Sequence, residues 1–166
     1  METPSFAAHH EDDHGDDHAD VRLHPPVTYL MALAIGAIAQ WFFPLLLPGG
    51  LWVRIAGVLL LVVSVSLFRR CIGLFRQHAT PLPPWKPSKA LIQTGPYRIS
   101  RNPIYLSLSL TLLAFALIFL NPWGLMTLLV VTLVIDRLVI AREEVYLLRA
   151  FGDTYAQYQR RVRRWL

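Results

Sequence analysis

Twelve residues from Thr94 to Tyr105 concentrate side chains that could do chemistry: Tyr97, Arg98, Arg101, Asn102 and Tyr105, set among Gly95, Pro96 and Pro103. A second concentration comes after the last long apolar run, where Arg142 precedes Glu143 and Glu144, with Arg149 further on. Arginines and the free amides of a helix start suit a carboxylate, a glutamate suits an ammonium or a ribose diol, and aromatic faces suit a sulfonium or a base. The ligand implied carries both signs of charge and a flat ring. The same residues also have a plainer use, as positive-inside arginines and interfacial tyrosines at a membrane edge.

The elements that must hold these residues are apolar helices. The chain has 166 residues, 54% of them hydrophobic, with a mean hydropathy of +0.41, well above an ordinary soluble domain. The fold class expected is an all-α integral membrane bundle, with four transmembrane helices in two hairpins and a C-terminal cytoplasmic or interfacial helical segment. A first span over Val27 to Leu47 and a second over Leu51 to Phe68 are joined by Pro48-Gly49-Gly50. Arg54 lies near enough to the second span's start to snorkel. A third span, Pro103 to Leu120, turns at Asn121 into a fourth, Pro122 to Ile140. Pro103 suits a helix's first turn, where its missing amide is no loss. Both far-side turns are too small for a site, so the chemistry belongs to the arginine-rich face or the interior.

Charge orders the chain along its length. No acid lies between Val21 and Ile135, and arginines flank the apolar runs, which places the loop and both termini in the cytoplasm. The membrane would be the inner membrane of a bacterium or the endoplasmic reticulum of a eukaryote. The expected units are 1–26, a disordered His/Asp-rich tail; 27–69, the first hairpin; 70–102, a proline-rich cytoplasmic strap and site loop; 103–141, the second hairpin; and 142–166, amphipathic helices completing the site. The tail's histidines and aspartates have irregular spacing and no scaffold, so no structured metal site is expected. Cys71 has no partner for a disulfide.

Asp136 and Arg137 fall near the inner end of the fourth span, and charges there usually face a partner or a wet cavity. On an ideal helix Arg137, Ala141, Glu144 and Leu148 form one stripe, and Asp136, Ile140, Glu143 and Leu147 the next. One glutamate can then reach a ligand while the other pairs with Arg101, Arg137 or Arg142. Gly152 interrupts this helix. In the last one Tyr155, Tyr158, Val162 and Trp165 share a face among arginines, an amphipathic, basic pattern.

The residues exclude more than they select. There is no phosphate-cradling glycine loop, no covalent-hydrolase element, no nucleic-acid motif and no histidine cluster in the body. The charged and aromatic set that remains matches the groups of S-adenosylmethionine. Pro83-Pro-Trp-Lys-Pro, Leu91 through Tyr105, Arg142-Glu-Glu, Phe151-Gly-Asp-Thr-Tyr, Tyr158 and Val162-Arg-Arg-Trp resemble the isoprenylcysteine carboxyl methyltransferase family, to which the phospholipid N-methyltransferases look related. The resemblance covers the carboxyl-terminal half in order. It implies a membrane methyltransferase that uses S-adenosylmethionine and acts on a lipidic or prenylated amphiphile entering from the bilayer. By that resemblance the cofactor site is built from the loop's Arg-x-Pro-x-Tyr element and the Glu-Glu element: Gly95, Pro96, Tyr97, Arg98, Arg101, Asn102, Pro103, Tyr105, Glu143 and Glu144 are expected to bind the cofactor. The catalytic candidates are Arg142 or Arg149 as the cationic guide of a carboxylate nucleophile, with Glu143 sharing the cofactor or positioning an arginine. Asn102 stands where the best-studied branch has histidine. Alternatives are a phospholipid N-methyltransferase, a membrane NADPH-dependent reductase and a non-catalytic, metal-collecting membrane protein.

Overall fold

A computed structural model describes residues 24–78 and 90–166. The histidine-rich tail and most of the proline strap lie outside the described residues. Among those described, the fold is all-helical, with α1 Pro25–Phe42, α2 Gly50–Gln77, α3 Pro103–Ile118, α4 Pro122–Ile135 and α5 Ala141–Arg161. A 3-10 turn, Gly95–Arg98, precedes α3, and a π-turn, Asp136–Ile140, joins α4 to α5. The outward faces carry Leu59, Val62, Leu129 and Val130, all more than half exposed, which suits lipid and would be costly in water.

Three helical runs are long and apolar enough to cross a membrane: Pro25–Phe42, Gly50–Gln77 and the continuous Pro122–Arg161. The expected third span, α3, is as apolar but has 16 residues. At 1.5 Å per residue it is about 24 Å long, less than the roughly 30 Å of hydrocarbon. It is bounded by Pro103 at one end and by Leu120 at the other, whose φ of 52° turns the chain out of the helix. The second helix, conversely, does not stop at Phe68 but runs on through Arg69 and Arg70 to Gln77. Leaving the hydrocarbon does not require a helix to end.

The two helices of each expected hairpin are not each other's main packing neighbours. The most extensive interface is α2 on α3, and α1 packs chiefly on α4, with little between α1 and α2. The α2–α3 contact is close because Gly57 has no side chain: a Cβ there would lie 2.8 Å from Ile118 Cγ1 and 3.0 Å from the Ala114 carbonyl oxygen. Further along, Ser64 Oγ donates to the Ser107 carbonyl at 2.6 Å and meets Thr111 Oγ1 at 2.6 Å. Small residues and paired hydroxyls are what hold helices together where apolar burial gives no preference over lipid. At the far end Asn121 caps α4 by accepting from the Gly124 amide at 3.2 Å, and its Nδ2 donates to the Gly36 carbonyl on α1 at 3.0 Å. Arg54 donates to the Ile118 carbonyl at 2.8 Å, so the expected snorkelling residue closes the C-terminus of α3.

Candidate functional site

The site is built at the end of the bundle away from the short turns, where three segments meet: the loop before α3, the start of α5 and the C-terminal tail. Gly95 starts the loop with φ 59°, and the Tyr97 amide closes the turn on the Thr94 carbonyl at 3.2 Å. A side chain at Gly95 would be strained by that φ and would also meet Leu74 Cδ1 at 3.1 Å. Tyr97 is buried in a small cluster with Cys71 and Ile92, its ring edge-on to Phe75. The Tyr158 hydroxyl donates to the Tyr97 carbonyl at 2.7 Å and ties α5 to the loop.

The helix expected through Trp165 ends at Arg161 instead. Val162 is extended, and the tail runs beside the loop: the Arg101 amide donates to the Arg163 carbonyl at 3.0 Å, and Asn102 Nδ2 to the Arg164 carbonyl at 3.0 Å. The cause is the loop's own unpaired backbone, for which the tail supplies carbonyls. Gly152, with φ 51° and ψ −130°, makes the expected break within α5.

Five charged or polar side chains interlock at this junction. Arg101 Nη2 lies 3.0 Å from Glu144 Oε1, and Arg164 Nη2 pairs with Glu144 Oε2. Arg164 Nη1 lies 3.2 Å from Asp136 Oδ2, and the Trp165 indole donates to Asp136 Oδ1 at 2.9 Å. The side chains of Arg101 and Glu144 are 12% and 11% exposed, so the pair is largely removed from water. Of the three candidate cations for the acidic pair, Arg101 is thus one that engages it. Arg137 remains 79% exposed, 3.7 Å from Asp136.

The π-turn explains why Asp136 and Glu144 share Arg164. On an unbroken α-helix Asp136 lines up with Glu143, seven residues on. A π-turn takes in one extra residue, which rotates the rest of the helix and brings Glu144 round to Asp136. Glu143 is thereby directed elsewhere: Tyr105 Oη donates to Glu143 Oε1 at 2.6 Å. Glu143 lies in α5, beyond the last residue of α4. The Tyr105 hydrogen bond fixes Glu143 against α3, one residue before Glu144 and its two arginines.

Apart from Tyr97, which is buried with Cys71 and Ile92, the expected cofactor residues therefore fall into two groups. Arg101, Asn102 and Glu144 form one contiguous cluster with the C-terminal tail, and Tyr105 with Glu143 adjoins it. Gly95, Pro96, Arg98 and Pro103 line a separate open groove between α2 and α3. Arg142 and Arg149 are both exposed on α5. Asp136, Arg164 and Trp165 are additions to the expected site residues. The available signal was a carboxylate near the inner boundary that needed a partner, read together with the basic tail. Among the described residues no group of His, Cys, Asp and Glu is arranged to hold a metal ion.

An apolar helical bundle with a buried ion network at one end defines a membrane protein with a polar site at its edge. Residues 52–154 match the phospholipid methyltransferase family, and the chain belongs to that family. That stretch takes in α2, the loop, α3, α4 and α5 beyond Gly152. An uncharacterised protein of Haemophilus influenzae is 48% identical over 63 residues, which are 38% of this chain and all of that protein. No solved structure matches.

Proposed function

We propose that the chain is an S-adenosylmethionine-dependent methyltransferase acting on the polar head of a membrane amphiphile. The observation that carries this reading is the Arg101–Glu144 junction, an acid and a base from distant parts of the sequence closed on each other beside Tyr105 and Glu143. The residues fit the cofactor by their donor set. Arg101 Nε is buried and has no hydrogen-bond partner among the described residues, an unsatisfied donor that a carboxylate admitted to the cluster would satisfy. An ammonium or a ribose diol would have to replace an arginine on Glu144, whose two oxygens are both paired in the closed cluster, and Glu143 and the Tyr105 ring lie alongside. Bound there, the cofactor supplies an electrophilic methyl group on a sulfonium.

The protein's own part is to position and to manage one proton. Arg101 and Glu144 orient the charged ends, and the tail held by Asp136 and Arg164 fixes Arg101 in place. With an amine as acceptor, the ammonium must lose a proton before its lone pair can attack. Glu143, held by Tyr105 at the edge of the cluster, is the carboxylate placed to take that proton. The family match favours this phospholipid N-methylation. The resemblance of the loop and the Arg142-Glu143-Glu144 element favours carboxyl O-methylation of the isoprenylcysteine type, in which no base is needed and a cationic guide, Arg142 or Arg149, replaces it. In the membrane α3 would serve as a fourth, short crossing, with the cluster and both termini on the cytoplasmic side.

The test is transfer of a labelled methyl group by the purified chain to phosphatidylethanolamine vesicles and to a farnesylated cysteine analogue. Label in the first product supports N-methylation, and label in the second supports O-methylation. Label in neither, with saturable NADPH binding in place of S-adenosylmethionine binding, would reject the methyltransferase reading.

A further inference from the structure

The groove between α2 and α3 has a volume of about 1060 Å³ and is open along the outer face of the bundle. Its lining changes character along its length. Val62 and Val63 of α2 face Leu106 and Leu110 of α3 in the part flanked by lipid-facing residues. Towards the site end the walls become polar, with Arg70 on α2 and Arg98 on the loop. Val62 and Arg70 are eight positions apart on one helix, so the apolar wall begins on the order of 12 Å below the guanidinium. An anionic head with apolar chains beneath it has this polarity profile.

Charge supports the same occupant. No carboxylate side chain lines the groove, and among the described residues neither Arg70 nor Arg98 has an ion-pair partner. Of the acids of this end, Asp136, Glu143 and Glu144 are engaged in the cluster and Asp153 is exposed on α5, while Leu166, with the terminal carboxylate, lines the groove without pairing to either arginine. Ser100 and Pro103 form the wall between the two places: both line the groove, while Arg101 and Asn102 between them turn to the tail and to Glu144.

We propose that this groove seats one phospholipid molecule, its phosphate between Arg70 and Arg98 and its chains along Val62, Val63, Leu106 and Leu110. Guanidinium groups from two walls can each give directed hydrogen bonds to phosphate oxygens, and they sit where a basic group is drawn to the lipid headgroups. The open side lets the lipid enter laterally without leaving the bilayer. A headgroup extending past the phosphate reaches the Ser100–Pro103 wall, with the cluster behind it. That this lipid is the methyl acceptor rests on the methyltransferase reading above; that the groove holds it does not.

The experiment measures retention of dioleoyl phosphatidylethanolamine by the purified full chain in native mass spectrometry, alongside a titration with S-adenosylmethionine. The doubly substituted Arg70→Gln, Arg98→Gln chain should bind the lipid at least tenfold more weakly while its S-adenosylmethionine affinity stays within twofold. Its KM for lipid in the transfer assay should rise at least tenfold, with kcat changed less than threefold. Leu106→Trp should weaken lipid retention by filling the groove, and Arg70→Lys, Arg98→Lys should restore part of it. Unchanged lipid retention in both the glutamine and the tryptophan chains would overturn the proposal, as would displacement of the lipid by equimolar farnesylcysteine. Loss of lipid retention in a protein whose native form binds no S-adenosylmethionine would leave the groove assignment standing and remove the methyltransferase reading.

Discussion

The two places on either side of the Ser100–Pro103 wall could hardly be built more differently. The cluster is closed and internally neutralised: Arg101 and Arg164 meet Glu144 and Asp136 with little water between. The groove is open, its cations form no ion pair among the described residues, and its walls are mostly aliphatic. One loop supplies both, because consecutive residues in an irregular segment can face opposite ways. The comparison teaches that an arginine's setting here is fixed by its partner: Arg98 and Arg101, three positions apart, face an open groove and a closed ion cluster respectively.

The largest effect should come from breaking the closed side. Glu144→Ala leaves two guanidinium groups without their shared acceptor, and removing one member of a buried pair costs about 3–5 kcal/mol. Denaturation in detergent should show a loss of that order, whereas Arg98→Ala should shift stability by less than about 0.5 kcal/mol, as for an exposed residue. Next, Gly57→Val forces α2 away from α3, since its Cβ would already stand 2.8 Å from Ile118. A cost of about 1–3 kcal/mol is expected, read by the same denaturation. That substitution should lower lipid retention before it touches S-adenosylmethionine binding.

Tyr105→Phe sharpens the division within the site. It removes the hydrogen bond that favours the ionised form of Glu143's carboxyl. If Glu143 is the base for an amine, activity rises with pH as the carboxyl ionises, and the substitution should move that rise to higher pH. A profile measured for transfer to phosphatidylethanolamine checks it, and an unshifted rise would remove Glu143 from the proton's path. The smallest effect is expected at the far end, where Asn121→Ala should cost about 1 kcal/mol through the lost cap on α4 and leave transfer kinetics unchanged.

How much could be read from the residues alone depends on how local each signal is. The start of α3 was legible because Pro103 constrains its own backbone, and the break in α5 because Gly152 takes a φ few other residues accept. The meeting of Arg101 with Glu144 was legible as one of three pairings, since a carboxylate near the membrane boundary must find a cation. The π-turn was not, because stripes drawn at a hundred degrees per residue presuppose an α-helix throughout, and one inserted residue exchanges the partners of Glu143 and Glu144. Arg164 was hidden for a related reason: an amphipathic pattern continues past Arg161, while the tail's carbonyls are drawn out to the loop's amides. The groove depends on α2 packing chiefly against α3, a tertiary choice made by Gly57, Ser64 and Ser107 that no pattern within a single helix displays. The extension of α2 to Gln77 was masked by reading Arg69 as the end of the helix when it marks only the end of the apolar run.

The central claim is that the Arg101–Glu144 junction holds the methyl donor. Calorimetric titration of S-adenosylmethionine into the purified chain and into Glu144→Gln, which keeps the side chain's shape and removes its charge, tests it most directly. Saturable binding to the native chain and at least tenfold weaker binding to the variant, with both still folded by thermal denaturation, is the result predicted. Equal affinity in the two would contradict it.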